Sequence, residues 1–509
     1  MNTLRNINIH KSNKINLDIN TTVFIHNKKK PLKTELNKFI KISQKYNTLL
    51  QEIDQKFKSN PRQESIIIIS DPTQEGKFHK IIVIGYPIDN ISSQGVGFDE
   101  YRHIGFKIFK GMSSNQVKSI NIICPDTYKN LECVLEGLLL STYKFDIYKT
   151  SARIDEARNF NIETLNVIDI ENSPRFNKNI NCLINKIESV FLCKNLVNLP
   201  PNDLNPELFT KHIRNIITNS KLPIKIEEYD SQQLKKMGMN LLYTVGKTSK
   251  GNNSRLVILS YKPTNKKNPD YVLLGKGITY DSGGLNLKPG KYLNEGKFDM
   301  SGAAVVLSSL IGAVLNGSKK SIVVYLPLSE NNIDSSSMKV GEVITAYNKS
   351  TVEIDNTDAE GRLILADCLS HAVEKYPKSP IIDIATLTGQ QEDLSCRLFT
   401  TLQGTNNESI SNFLIENGDL LNENVIQIPI KFQLKKKLES KIADIKNSSG
   451  KCNADLILSS IFMSHFINKD TNWTHLDIAG PSILNNEDIP YVLGESSGIG
   501  VRLMIELLI

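Results

Sequence analysis

Two stretches of the sequence gather ionisable side chains among glycines. In "NTDAEGRLILADCLSHA", residues 356 to 372, Asp358 and Glu360 stand two positions apart, Arg362 follows, and an amphipathic run reads as a helix. In "GKGITYDSGGLNLKPGKYLNEGKFDM", residues 275 to 300, Lys276 and Asp281 flank a short apolar segment. Ser282, Gly283 and Gly284 then make a turn, Lys288 follows, and Asp299 starts a helix. Glycine lets backbone come close to whatever is bound. Three aspartates and a glutamate drawn together would repel, because like charges roughly 4 Å apart cost several kcal/mol where solvent is partly excluded. Something positive must accompany them. Lysine and arginine would supply it as a plain ion-pair network, or one or two divalent cations bridged by carboxylates would. No histidine stands beside the acidic residues, which suits hard or borderline metals held mainly by oxygen.

Such residues need a frame. The first 170 residues carry short β-rich runs, "TTVFIH", "SIIIIS", "KIIVIGY" and "SINIIC", separated by helix-like stretches such as "LECVLEGLLLSTYKF", the pattern of an α/β domain. A polar, proline-containing segment near residues 170 to 178 marks a boundary, and a long helix follows it to the double proline at Pro200 and Pro201. Beyond, "SRLVILSY", "DYVLLGKGITYD", "SIVVYLPL" and "PIIDIATL" read as largely buried strands alternating with helices, chiefly those after Asp299 and after Glu360. The expectation is an α/β protein of two domains: a smaller one at 1–170, and a larger one at 178–509 whose central mixed sheet is flanked by helices. Acidic residues fall at strand-to-helix junctions, where α/β sheets usually place their sites.

The 509 residues, 40% hydrophobic and 23% charged, describe a globular chain too long for one ordinary core. Seven scattered cysteines include no C-x-x-C pair, which points to a reducing compartment. The start has no apolar core of a signal peptide, and no run of about 18 apolar residues occurs, so a cytoplasmic location is expected. Gly246-Lys247-Thr248 imitates a phosphate-binding loop but has Leu241 where that loop needs glycine. Net charge is +7, and the first 50 residues hold ten Lys/Arg against two Asp/Glu. A solvated basic face explains that excess, and nucleic-acid contact is the alternative.

"GKGITYDSGGLNLKPG", "KFDMSGAA" and "NTDAEGRLILADCLSHA" closely resemble the leucyl aminopeptidase (cytosol aminopeptidase) family of two-metal exopeptidases, with support from "NLVNLPPNDLNPELF", "IATLTG" and "WTHLDIAGPS". The spacings fit as well: five residues from Lys276 to Asp281, eighteen to Asp299, fifty-nine more to Asp358. The resemblance implies a dinuclear site, with manganese or zinc held by Lys276, Asp281, Asp299, Asp358 and Glu360 and a bridging hydroxide as nucleophile. Lys288 would polarise the scissile carbonyl, and Arg362 would hold a bicarbonate acting as general base. Gly296, Thr386, Leu387, Gly389 and Ala479 would line the substrate pocket, and peptides with a free N-terminus would be the substrates. It further implies a homohexamer, and some relatives bind DNA, which leaves a DNA-binding regulatory or architectural protein as the alternative function. Relatives commonly carry Met where this chain has Gly296, so a wider pocket is expected. After "ATLTG" the chain continues with Gln390, Gln391, Glu392 and Asp393 in place of an apolar helix start, which would select a polar substrate or disturb subunit packing.

Overall fold

The computed structural model describes residues 4–509 apart from 17, 27–30, 40–43, 60–63, 71–77, 86–93, 125–126, 151–159, 169–173, 249–252, 265, 451–452 and 485–488. Part of the boundary segment, Lys28 to Lys30, Lys41 and Cys452 therefore lie outside the described residues; the other six cysteines are free thiols. The chain forms two compact units, residues 1–187 with 489–494, and residues 188–488 with 495–509.

The first unit is built on a six-stranded sheet in the order Asn8–Ser12, Thr164–Ile168, Ser119–Ile123, Thr21–His26, Phe78–Gly85, Glu64–Ser70. All neighbours are parallel except the last pair. The apolar runs singled out in the sequence are these strands. The helix Tyr128–Leu140 buries nine residues, and its N-cap Thr127 accepts a hydrogen bond from the Asn130 amide.

The second unit carries the mixed sheet. Its strands run Val425–Gln427, Thr400–Thr405, Trp473–Asp477, Ile381–Ala385, Tyr271–Gly275, Ile322–Asn331, Arg255–Tyr261, Ile224–Tyr229, and Gly277–Asp281 pairs with the far half of Ile322–Asn331. The four central strands, Trp473–Asp477, Ile381–Ala385, Tyr271–Gly275 and Ile322–Asn331, run parallel, whereas Arg255–Tyr261 runs against Ile322–Asn331 and Thr400–Thr405 against Trp473–Asp477. On one face, Val272, Leu274, Val323, Tyr325 and Ile381 share a core with the helix Gly361–Lys375. The helix Ser301–Leu315 has every residue but the last buried. Its small residues permit close approach: a Cβ on Gly302 would stand 2.1 Å from the Ile384 carbonyl oxygen, and one on Gly275 would stand 2.6 Å from the Ala303 Cα. The stretch Gly296–Leu315 is the one helical segment among the described residues long and apolar enough to cross a membrane, and 89% of its apolar window is buried as core.

The run "DYVLLGKGITYD" reads as one strand but folds as two, Tyr271–Gly275 and Gly277–Asp281, interrupted at Lys276. The interruption has a physical cause. The Lys276 amide donates to the Ile384 carbonyl at 3.0 Å and its carbonyl accepts from Ala303 at 2.8 Å, so the backbone switches partners there and turns the ammonium inward.

Candidate metal centre

Three junctions of the sheet supply the site. Asp281 ends its strand directly opposite Asn331, and the turn after it requires left-handed backbone at Gly283 (φ 87°) and Gly284 (φ 62°). That turn returns the Gly283 amide to Asp281 Oδ1 at 2.9 Å and brings Lys288 back over the strand end. Asp299 precedes the helix Ser301–Leu315, whose tight seating at Gly302 sets the carboxylate beside Lys276. Asp358 and Glu360 precede the helix Gly361–Lys375, and Gly361 leaves no side chain where the Lys276 chain passes, since a Cβ there would stand 2.5 Å from its Cε.

The result is one cluster. Oxygen atoms of Asp281, Asp358 and Glu360 lie within 4.8 Å of one another. Lys276 Nζ is 2.9 Å from Asp299 Oδ2, 3.0 Å from Glu360 Oε1 and 2.7 Å from the Thr386 carbonyl. Lys288 Nζ is 2.9 Å from Asp281 Oδ2 and 2.6 Å from Asp358 Oδ1. Four carboxylates thus face two ammonium groups in a space where Glu360 is 1% exposed and Asp281 3%. Charge of one sign is left over.

The titration behaviour records that imbalance. Burial pushes the Asp358 carboxyl up to about 7, with Asp281 and Glu360 adding to the effect and Lys288 opposing it. Burial likewise holds Asp299 well above the usual carboxylate range despite Lys276. Burial alone would lower both lysines, but the surrounding carboxylates outweigh it and hold Lys276 and Lys288 above the ordinary lysine range. Asp299 Oδ2 and Asp358 Oδ1 are buried, and each is paired with one ammonium group alone. A dense oxygen donor set with surplus negative charge fits divalent cations.

The remaining sequence-selected residues fall into two groups. Thr386 belongs to the cluster: besides its carbonyl on Lys276, its hydroxyl donates to Asp299 Oδ1 at 2.8 Å. Leu387 and Ala479 are held beside it through Asp477, which accepts from their amides at 3.0 and 3.1 Å and from the Thr388 hydroxyl at 2.8 Å. Gly389 opens a short helix into free space. Gly296 lies against the end of the Asp281 strand. A Cβ there would meet the Asp281 carbonyl oxygen at 2.8 Å and the Tyr280 ring at 3.2 Å, so the glycine answers a close backbone approach. Arg362 is not joined to the carboxylate cluster: its guanidinium donates to the Asn447 carbonyl at 3.0 Å and to Asp455 at 2.8 Å. Its Nε is buried without a hydrogen-bond partner among the described residues.

The polar run after Gly389 turns largely to the protein's own backbone. Gln390 accepts from the Leu456 amide at 3.1 Å, and Gln391 accepts from Gly480 at 2.6 Å while donating to the Phe399 carbonyl at 2.7 Å. Glu392 pairs with Arg397, and Asp393 is exposed. Sequence reasoning passed over Asn331, Thr357, Asn286 and Asn447, neutral residues that tie the two ligand-bearing loops together. The Asn286 side chain accepts from the Thr357 amide at 2.9 Å, and Asn447 accepts from Asp355 at 2.8 Å. Asn286 and Thr357 could have been signalled by lying within "GLNL" and "NTDAEGR"; Asn331 and Asn447 stand far from both in sequence.

Comparison with known proteins settles the lineage. Residues 191–505 match the catalytic domain of the cytosol aminopeptidase family, and residues 22–152 match that family's N-terminal domain. The chain belongs to the cytosol aminopeptidase family. A probable cytosol aminopeptidase of Aquifex aeolicus (strain VF5) is 34% identical over 450 residues, 85% of this chain and 87% of that one. One of Protochlamydia amoebophila (strain UWE25) is 33% identical over 409 residues, covering 78% and 79%. The bottromycin maturation enzyme BotP, solved in complex with Mn, shares the fold at a TM-score of 0.78 and 24% identity, over 96% of this chain and 99% of that one. Membership makes the protein a metal-dependent aminopeptidase, a metallo-exopeptidase that acts on peptides.

Proposed function

We propose that this aminopeptidase removes the first residue of peptides at a dinuclear centre held by Lys276, Asp281, Asp299, Asp358 and Glu360, with manganese or zinc as the ions. The observation that carries the reading is the surplus of buried carboxylate over ammonium in one cluster. Bound there, the ions supply Lewis-acid polarisation of the carbonyl and activation of the attacking water. The chain's own residues do the rest. Asp281 and Glu360 would serve both ions, Asp358 would help to hold one, and Asp299 with Lys276 would help to hold the other. Lys288 would remain cationic and stabilise negative charge developing on the carbonyl oxygen, whereas Lys276 would act as a ligand only once a neighbouring dication has displaced its proton. Arg362 keeps its buried Nε–H for an anion, and bicarbonate acting as general base suits it. Thr386, Leu387, Gly389 and Ala479, fastened by Asp477, line the pocket for the first side chain together with Gly296.

Assembly as a homohexamer and a cytoplasmic location accompany this reading, on family grounds. A DNA-contacting role for the domain at 1–170, beside the catalytic domain at 178–509, is the second reading. It is favoured by a cavity of about 620 Å³ lined in part by His10, Lys11, Arg175 and Lys178. Binding to duplex DNA that weakens steeply as salt rises would support it; none at low salt removes it.

Hydrolysis of a panel of aminoacyl-amides by protein stripped with chelator and then given manganese or zinc tests the main reading. Activity should vanish on stripping and return with metal, and N-terminally blocked substrates should stay uncut. Restored cleavage of blocked substrates would rule out the exopeptidase geometry. Failure of any metal to restore cleavage in folded protein would rule out the centre.

A further inference from the structure

Asp281 and Glu360 are anionic neighbours, yet one neutral group reaches both. Asn331, 3% exposed at the end of its strand, directs Nδ2 to Asp281 Oδ1 at 2.9 Å, to the Thr357 carbonyl at 3.1 Å and to Glu360 Oε2 at 3.4 Å. An amide has two N–H bonds for these three acceptors, so one hydrogen serves Asp281 and the other is shared between Thr357 and Glu360. Three acceptors on that side require nitrogen there and oxygen on the other, toward Gly284, where a Cβ would stand 2.9 Å from Asn331 Oδ1.

The backbone fixes this amide as firmly as the side chain does. Asn331 is the register partner of Asp281, and its carbonyl accepts both the Ser282 amide at 3.0 Å and the Ser282 hydroxyl at 2.8 Å. Thr357 closes the frame by donating to the Gly283 carbonyl at 2.7 Å. The two loops that carry acidic ligands are therefore joined through Asn331 without any charge being added. A lysine in this position would neutralise the carboxylates that a cation needs, and an aspartate would add to their repulsion.

We infer that Asn331 is a positioning residue for the metal centre: its amide fixes the rotamers of Asp281 and Glu360 and so presents their other oxygens, now paired with Lys288 and Lys276, to a metal ion. The inference rests on the dinuclear reading above and adds a residue outside the ligand set. Outer hydrogen-bond partners of metal ligands change affinity by about 10- to 100-fold when removed.

The test is the manganese dissociation constant of the full chain, measured by competition with a chelating dye, for wild type, Asn331→Ala and Asn331→Gln. Thermal unfolding in chelator is followed alongside. Weakening by about 10- to 100-fold in Asn331→Ala, with the metal-free protein still folded, is the expected result. Asn331→Gln keeps the amide but displaces it by one methylene, so it should weaken binding too, and it replaces the alanine variant if that one does not fold. A variant that melts earlier in chelator yet binds manganese within twofold of wild type overturns the inference, since a purely structural asparagine behaves that way. Wild-type protein with no manganese affinity overturns the dinuclear reading and this inference together.

Discussion

Two buried clusters of charge in the catalytic unit obey opposite rules. At Glu423, one carboxylate meets one guanidinium: Oε1 accepts from Arg502 Nε at 2.8 Å, and Oε2 accepts the amides of Gly500 and Leu503 at 3.0 and 3.1 Å. Charge is balanced, both oxygens are satisfied, and the carboxylate serves the first turn of the helix Val501–Leu508. At the metal centre four carboxylates meet two lysines, and negative charge is left over. The first cluster needs no further charge, whereas the surplus in the second calls for a cation. Burial of charge alone says little about function; its imbalance says more.

Breaking each cluster should therefore give different losses. Glu360→Ala removes a ligand proposed to serve both ions. Turnover should fall by about 10³-fold or more, since loss of several kcal/mol of transition-state stabilisation is at stake, while the circular dichroism spectrum and the urea midpoint stay close to wild type. Activity within tenfold of wild type would refute the assignment. Glu423→Ala should do the reverse. Leaving Arg502 buried opposite nothing should cost about 3 kcal/mol or more in urea unfolding, with manganese affinity of the surviving folded protein unchanged. An equal loss of metal affinity in both variants would erase the distinction.

How much of this was legible beforehand follows from what each residue does. The α/β order was visible because buried strands leave runs such as "SIVVYLPL", and the helices after Asp299 and Glu360 were visible as longer apolar runs between them, though both are buried nearly all round rather than on one face. The acidic residues stood out because they are charged and sit among glycines. The break at Lys276 did not, because both halves of "DYVLLGKGITYD" are buried strand and only the partner switch to Ile384 and Ala303 divides them. Gln390 and Gln391 looked like pocket residues because polarity does not reveal direction; their partners are the backbones of Leu456, Gly480 and Phe399. Asn331 and Asn447 were invisible for a third reason. A neutral side chain bonded to residues distant in sequence carries no local signal.

A third buried carboxylate sharpens the comparison, since it has neither a cation nor a surplus of neighbours. Asp367 accepts the Leu242 amide at 3.1 Å and the Tyr347 amide at 2.8 Å from inside the helix Gly361–Lys375, which pins the segment Asn240–Val245 to that helix. Burial pushes its carboxyl up to about 7 from 3.8, and the backbone amides oppose the shift without cancelling it. The folded value lies above the unfolded one, so its contribution to stability is fully present below about pH 4 and is lost as pH rises through about 7. Asp367→Asn removes the titration but trades one acceptor for a donor facing a backbone N–H, a loss of about 1–3 kcal/mol. The variant should thus be less stable than wild type at pH 5, and the gap should shrink by about 2–3 kcal/mol by pH 8, read from urea midpoints across that range. A gap independent of pH would mean that the backbone amides keep Asp367 ionised throughout. Satisfied hydrogen bonds would then suffice to bury a lone carboxylate, and only the surplus of several would mark a metal site.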